Sequence, residues 1–195
     1  MNKQKIQQVI DNVIDSTFKS IEALFKNKNG FARNTRLCIP SYHHGFNENK
    51  IRLSEQELRF LFVEEFNKNA DVKELDLRYS VETPTVGWYN NTGERKRSGN
   101  FDMTIWQNEK IVAIIEFKAK NRYYETDLKK LTNLEEGDVL RYLVNILEAS
   151  TPKTSRNLRK KFNVENQKGE HIVYLKFYSL NKSSHNETFP ETYKY

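Results

Sequence analysis

Asp102, Glu116 and Lys118 are the residues of this chain whose types and spacing carry a chemistry. They lie in the stretch Asn100 to Lys120, NFDMTIWQNEKIVAIIEFKAK. The run Ile111 to Phe117 is almost wholly apolar, as expected of a central strand covered on both faces. Glu116 interrupts the far end of that run, and Lys118 follows two residues later. Side chains alternate along a strand, so these two project from one face. Asp102 breaks the preceding strand pattern, where aspartate is disfavoured. With a three-residue hairpin loop Asn108-Glu109-Lys110, Gln107 pairs with Ile111, Trp106 with Val112, and Asp102 falls opposite Glu116. The two carboxylates then stand roughly 5 Å apart. A two-residue loop places them on opposite faces, so the arrangement requires an odd loop or a bulge.

Two carboxylates held face to face repel, the more so where water is scarce. A cation, a proton or Lys118 must offset them. Two carboxylates and a neighbouring backbone carbonyl suit a hard divalent ion, Mg²⁺ with Mn²⁺ as a substitute. Such an ion bridges a phosphate oxygen, lowers the pKa of a bound water and stabilises charge in an in-line displacement. Lys118 beside it would orient the attacking water or neutralise the developing charge.

These residues need a sheet with helices to hold it. The first segment is an amphipathic helix: Ile6, Val9, Ile10, Val13, Phe18, Ile21, Leu24 and Phe25 recur at three and four, ending near Asn27 to Gly30. Residues 30–51 read as irregular, with a short strand at Thr35 to Ile39. Ser54 and Glu57 form a capping-box pattern that starts a second helix, running to about Asn67. Strands are predicted at 75–83, stopped by Pro84, at 100–107 and at 111–119. Leu128 and Leu131 mark a short helical piece. Asp138 is read as the cap of another helix, with Val139, Tyr142, Leu143, Ile146 and Leu147 on one side. Residues 171–180 form a last strand, and a polar tail follows. The order is helix, three strands, helix, strand, with an extra helix in front, a mixed α/β layer architecture.

Composition sets the outer bounds. The chain has 195 residues, the length of one domain, and 32 Lys and Arg against 26 Asp and Glu give a net charge of +6. That permits a polyanionic partner without requiring one. The longest unbroken apolar run, Ile111 to Ile115, is too short for a membrane helix. Acidic residues within the first 20 positions exclude a signal peptide. Cys38 is the single cysteine, which excludes an intramolecular disulfide or a multi-cysteine zinc site. A cytoplasmic location is expected.

Asp102, a hairpin, and then Glu116-Phe117-Lys118 resemble the D…(D/E)-x-K signature of the PD-(D/E)XK nuclease superfamily. The element order over roughly residues 50–180 is also similar to that superfamily's restriction-endonuclease-like core: helix, three strands, helix, strand, in a mixed sheet flanked by helices. The resemblance implies that Asp102 and Glu116 are Mg²⁺ ligands, that Phe117 lends its carbonyl, and that Lys118 is catalytic. The stretch Glu55-Gln56-Glu57-Leu58 is similar to the E-x-E-L opening of the helix that, in junction-resolvase-like members, adds a further acid. That implies Glu55, with Glu57 as the fallback. One departure is that Asn100 and Phe101, and no proline, precede Asp102. The implied organisation is an N-terminal helix and irregular segment over 1–50, a nuclease-like domain over 51–180 and a tail over 181–195. The implied activity is hydrolysis of phosphodiester bonds, with DNA as the expected partner and a homodimer as an option. The alternative is a catalytically silent nucleic-acid-binding or accessory subunit on the same fold, and a third reading takes the motif as accidental.

Other features weigh less. Arg95, Lys96, Arg97 and Lys120 flank the proposed site and are candidates for phosphate contact. Lys153, Arg156, Arg159, Lys160 and Lys161 form a run without acids, in which Lys160 and Lys161 are taken as nucleic-acid contacts, although charge runs are commonly just solvated faces. Adjacent His43 and His44 are poor chelators and read as loop residues. Glu82 joins the acidic cluster, caps an edge or pairs with a basic neighbour. Trp88 and Tyr89 stack on bases or pack locally. The N-terminal stripe covers the core or forms a dimer surface.

Overall fold

The computed structural model describes residues 3–26, 30–39, 54–84, 99–119, 125–132, 138–147 and 173–179. Helix α1 spans Lys3–Lys26, α2 Glu55–Lys68 and α3 Ala70–Glu74. Strands β1 (Arg78–Pro84), β2 (Asn100–Gln107) and β3 (Lys110–Ala119) follow, then helix α4 (Glu125–Thr132) and strands β4 (Leu140–Leu147) and β5 (Tyr174–Ser179). The five strands form one sheet in sequence order, with β1, β2 and β3 antiparallel and β3, β4 and β5 parallel. This is an α/β architecture with helices on the sheet. Among the described residues no helix is long and apolar enough to cross a membrane.

The α1 stripe resolves as core cover. Ile6, Val9, Ile10, Val13, Ile14, Phe18, Ile21 and Leu24 are buried in one cluster with Leu58, Leu61 and Phe62 of α2 and with Met103, Ile105, Ile115 and Phe117 of the sheet. On the other face, Leu128 and Leu131 of α4 pack with Ile114, Leu143 and Leu175. The alternation of Ile114 and Ile115 between the two clusters is the period-two geometry of a strand covered on both sides.

Helix α2 begins as expected. The Ser54 backbone N–H donates to Glu57 Oε2 at 2.8 Å, and the Ser54 hydroxyl also reaches that oxygen. This gives Glu57 a capping role. The Phe62 ring meets Phe117 edge-on with centroids 5.5 Å apart, which seats α2 on β3. Burying such a ring fixes the helix firmly; truncation to Ala costs about 3–5 kcal/mol. Asn69 ends α2 and starts α3, its side chain accepting from the N–H groups of Asp71 and Val72 at 2.9 and 3.2 Å. The predicted strand at 75–83 therefore starts later, at Arg78, because α3 and its turn occupy 70–76. Thr35 to Ile39 is not a strand: the segment is closed by Ile39 N–H donating to Gly30 O at 2.9 Å. Gly30 has φ +67°, and a Cβ there would lie 1.7 Å from the Ile39 carbonyl oxygen.

Two expectations are corrected. The hairpin between β2 and β3 turns on two residues, with Gln107 paired to Lys110. Asn108 and Glu109 both have positive φ, 49° and 62°, as a two-residue turn that follows strand twist requires. The register then shifts: Trp106 pairs with Ile111 but Ile105 pairs with Ala113, leaving Val112 as an extra residue on β3. This bulge restores the offset that the even loop removes. The second correction concerns 138–147, read as a helix. It is β4, the strand between β3 and β5. Residues Leu140 to Ile146 are all buried, so every position faces protein and the three-and-four spacing of its apolar residues carries no helical meaning.

Candidate active site

Beyond the bulge, Thr104 pairs with Ile114 and Met103 with Ile115. One step further, this register sets Asp102 opposite Glu116. On the other side of β2, Val81 pairs with Met103 and Thr83 with Phe101, which sets Glu82 opposite Asp102. Glu82 adopts φ +50°. Three acidic residues thus lie in one row across three strands.

The row is met by cations from the two helices. Arg59 of α2 extends one arm to Asp102 Oδ1 at 2.9 Å and the other to Glu82 Oε1 at 2.6 Å. Asp102 Oδ2 accepts from the Phe117 backbone N–H at 2.8 Å, which ties the aspartate to the strand that carries Glu116 and Lys118. Lys130 of α4 places Nζ 2.5 Å from Glu116 Oε1 and donates to the Asn100 carbonyl at 2.8 Å. Lys118 lies 3.1 Å from Asp127 of α4 and 3.7 Å from Glu55 of α2. Glu55 and Arg59 stand one turn apart on α2, the face that Phe62 seats.

Glu116 is the most deeply buried acid of the group, at 1% exposure. Burial pushes its carboxyl up, Lys130 pulls it back, and the charges of Asp102 and Asp127 push it up again, leaving it at about 8. The Lys130 ammonium is the partner that the described residues offer its Oε1. Lys118 is raised as well, which for a lysine keeps the charged form. Burial lowers its ammonium, but Asp127 and Glu55 outweigh that and hold it above the ordinary lysine value. Lys118 is therefore a fixed cation.

Among the described residues, five carboxylates, Glu55, Glu82, Asp102, Glu116 and Asp127, meet three cations, Arg59, Lys118 and Lys130. With every carboxylate ionised, these described residues carry two more negative than positive charges. The rise of Glu116 comes first from its burial and only then from the neighbouring acids. The donor set of Asp102, Glu116 and the Phe117 carbonyl is hard oxygen throughout and fits a divalent ion in kind. Each carboxylate is also held by a cation of the chain, and among the described residues no three acidic, His or Cys side chains stand together at ligating spacing.

The structure brings together Asp102, Glu116, Lys118 and Glu55. Arg95, Lys96, Arg97, Lys120, Lys160 and Lys161 lie outside the described residues, as do His43, His44, Trp88 and Tyr89. Three site residues escaped the sequence reading: Arg59, Asp127 and Lys130. Arg59 was legible, being four residues after Glu55 on the same helical face. Asp127 and Lys130 each adjoin an apolar residue of the Leu128 and Leu131 pair, but only the fold shows where that helix lands.

Comparison with protein-family models, with curated proteins and with solved structures finds no match to this chain.

Proposed function

We propose that this chain is a metal-dependent nuclease of the PD-(D/E)XK type, hydrolysing phosphodiester bonds in DNA on a restriction-endonuclease-like core. The observation that carries the reading is the convergence of Asp102, Glu116 and Lys118 at one corner where, among the described residues, carboxylates outnumber cations. The order α2, three antiparallel strands, α4 and a parallel strand is in keeping with that core, with β5 extending the sheet. Asp102, Glu116 and the Phe117 carbonyl would hold Mg²⁺, which when bound supplies Lewis-acid activation of water and charge neutralisation at a phosphate.

The chain's own residues contribute the rest. Arg59 fixes Asp102 against the Phe117 backbone, so the aspartate is oriented before any ligand arrives. Lys118, kept protonated by Asp127 and Glu55, orients a water or meets negative charge developing on a phosphoryl group. As a cation it is not a general base in this arrangement. Arg95, Lys96, Arg97, Lys120, Lys160 and Lys161 supply the basic contacts that a phosphate backbone would meet.

The test is cleavage of duplex, nicked, forked and single-stranded DNA, and of RNA, with Mg²⁺ or Mn²⁺. Metal-dependent cutting is expected, and Lys118→Ala should lower it by at least about 100-fold, with Asp102→Ala abolishing it. Cutting that survives both substitutions would remove these residues from the reaction. A folded wild type that binds DNA equally with and without metal, and cuts nothing, would instead be an accessory subunit.

A further inference from the structure

Lys130 lies in a cage of oxygens. Its ammonium is 2.5 Å from Glu116 Oε1, 3.9 Å from Asp127 Oδ1 and 2.8 Å from the Asn100 carbonyl oxygen. The Phe101 ring lies 5.5 Å away on another side. The side chain is only 11% exposed. Two carboxylate oxygens and a carbonyl are the donors a hard divalent cation takes. Here they surround the compact point charge of an ammonium on a flexible four-carbon stem. The neighbouring Asp102 is held differently, by a guanidinium that grips two carboxylates at once.

We infer that Lys130 is an internal stand-in for the metal ion, occupying the cation position beside Glu116 until a divalent ion displaces it, and so setting the metal affinity of the site. The inference rests on the metal-site reading given above. It follows from electrostatics: Glu116 is too buried to stand alone as a charge, so a chain without metal needs a resident cation there. A cation in that place and a divalent ion beside the same carboxylate repel each other. Binding of one therefore weakens the other, reciprocally. Lysine suits the exchange, because its stem can swing the ammonium away while α4 stays docked through Leu128 and Leu131.

The experiment is calorimetric titration of Mn²⁺ into the full chain without nucleic acid, beside thermal melting with and without Mn²⁺. Lys130→Gln is expected to bind Mn²⁺ about tenfold more tightly than the wild type. It should also melt lower without metal and gain more from it, since Glu116 has then lost its resident cation and keeps only a proton or the ion to neutralise it. Affinity that is unchanged or weaker in Lys130→Gln would overturn the inference. If that variant is too unstable to titrate, Lys130→Arg decides: a guanidinium that keeps its grip on Glu116 should weaken Mn²⁺ binding, and equal or tighter binding would count against displacement. Asp102→Asn separates the two levels. Binding by the wild type that Asp102→Asn removes, with no tightening in Lys130→Gln, leaves the metal site standing and rejects the role of Lys130. Absence of Mn²⁺ binding in wild type and Lys130→Gln alike rejects both.

Discussion

Lys176 and Lys130 are both ammonium groups drawn out of water against carboxylates, on opposite faces of one sheet. Lys176 of β5 is 2% exposed at its side chain and lies 3.1 Å from Asp11 of α1. It sits level with Val144, on the face covered by α1, beside fully buried Tyr142. Asp15 lies one helical turn beyond Asp11; burial raises its carboxyl, and Lys176 and Lys19 oppose that rise. Two aspartates there meet two lysines. At the corner of β1, β2, β3, α2 and α4, five carboxylates meet three cations among the described residues. The α1 side can close its account within the chain and serve as scaffold. At the corner the described cations do not match the described acids, and a proton or a further cation would complete the balance. A buried lysine alone is therefore no marker of a site; the charge balance around it is what separates scaffold from chemistry.

The largest effect that tests this difference is a pH response without divalent metal. Glu116 stands at about 8 in the fold against 4.5 as the ordinary value. Between those limits the folded chain keeps a proton that the unfolded chain has released. The stabilisation is thus whole below the lower limit and is lost as pH rises through about 8. The expected loss is on the order of 5 kcal/mol across the window. Urea unfolding at several pH values checks it, with Glu116→Gln expected to flatten the slope. An identical slope in that variant would show that the corner is already neutral.

Next in size is the scaffold side. Lys176→Met removes a buried cation and leaves Asp11 and Asp15 facing each other. The expected cost is about 3 kcal/mol, with no recovery on adding Mn²⁺. Denaturant unfolding with and without the ion measures both. A loss that Mn²⁺ restores would make the α1 side a second ion site and collapse the contrast.

Sequence reasoning reached the two regions unequally, for physical reasons. Asp102, Glu116 and Lys118 stood out because charge inside an apolar strand has a cost that calls for an explanation. The sequence allowed either an odd loop or a bulge to align the two acids, and it favoured the loop; the structure uses the bulge. Its site, Val112, is an ordinary strand residue. Lys176 drew no notice, since a lysine in HIVYLKFYSL reads as the solvent face of an alternating strand. That α1 returns across 165 residues to cover it is a tertiary fact with no local trace. The misreading of β4 has the same root: burial on both faces erases the period that tells strand from helix.

The smallest effect sharpens the contrast from the acid side. Glu64 of α2 lies on neither buried region. Burial raises its carboxyl, but hydrogen bonds from Lys68, from the Thr35 hydroxyl at 2.7 Å and from the Arg36 backbone N–H outweigh that and bring it down to about 2. A lowered carboxyl works opposite to Glu116. Its stabilisation is present above 4.5 and is lost as pH falls through about 2. The Lys68 partner faces solvent, so screening limits the gain to about 1 kcal/mol. Glu64→Gln should therefore cost about that much at pH 7 and nothing near pH 2, read by the same urea titrations. The same carboxylate pins residues 35 and 36 onto α2, so hydrogen exchange at Ile39, whose N–H closes the 30–39 segment on Gly30, should quicken in the variant. If acid weakens Glu64→Gln as steeply as the wild type, the acid edge belongs elsewhere. The two pH edges could then not be divided between scaffold and corner, and the alkaline slope assigned to Glu116 would have to stand on Glu116→Gln alone.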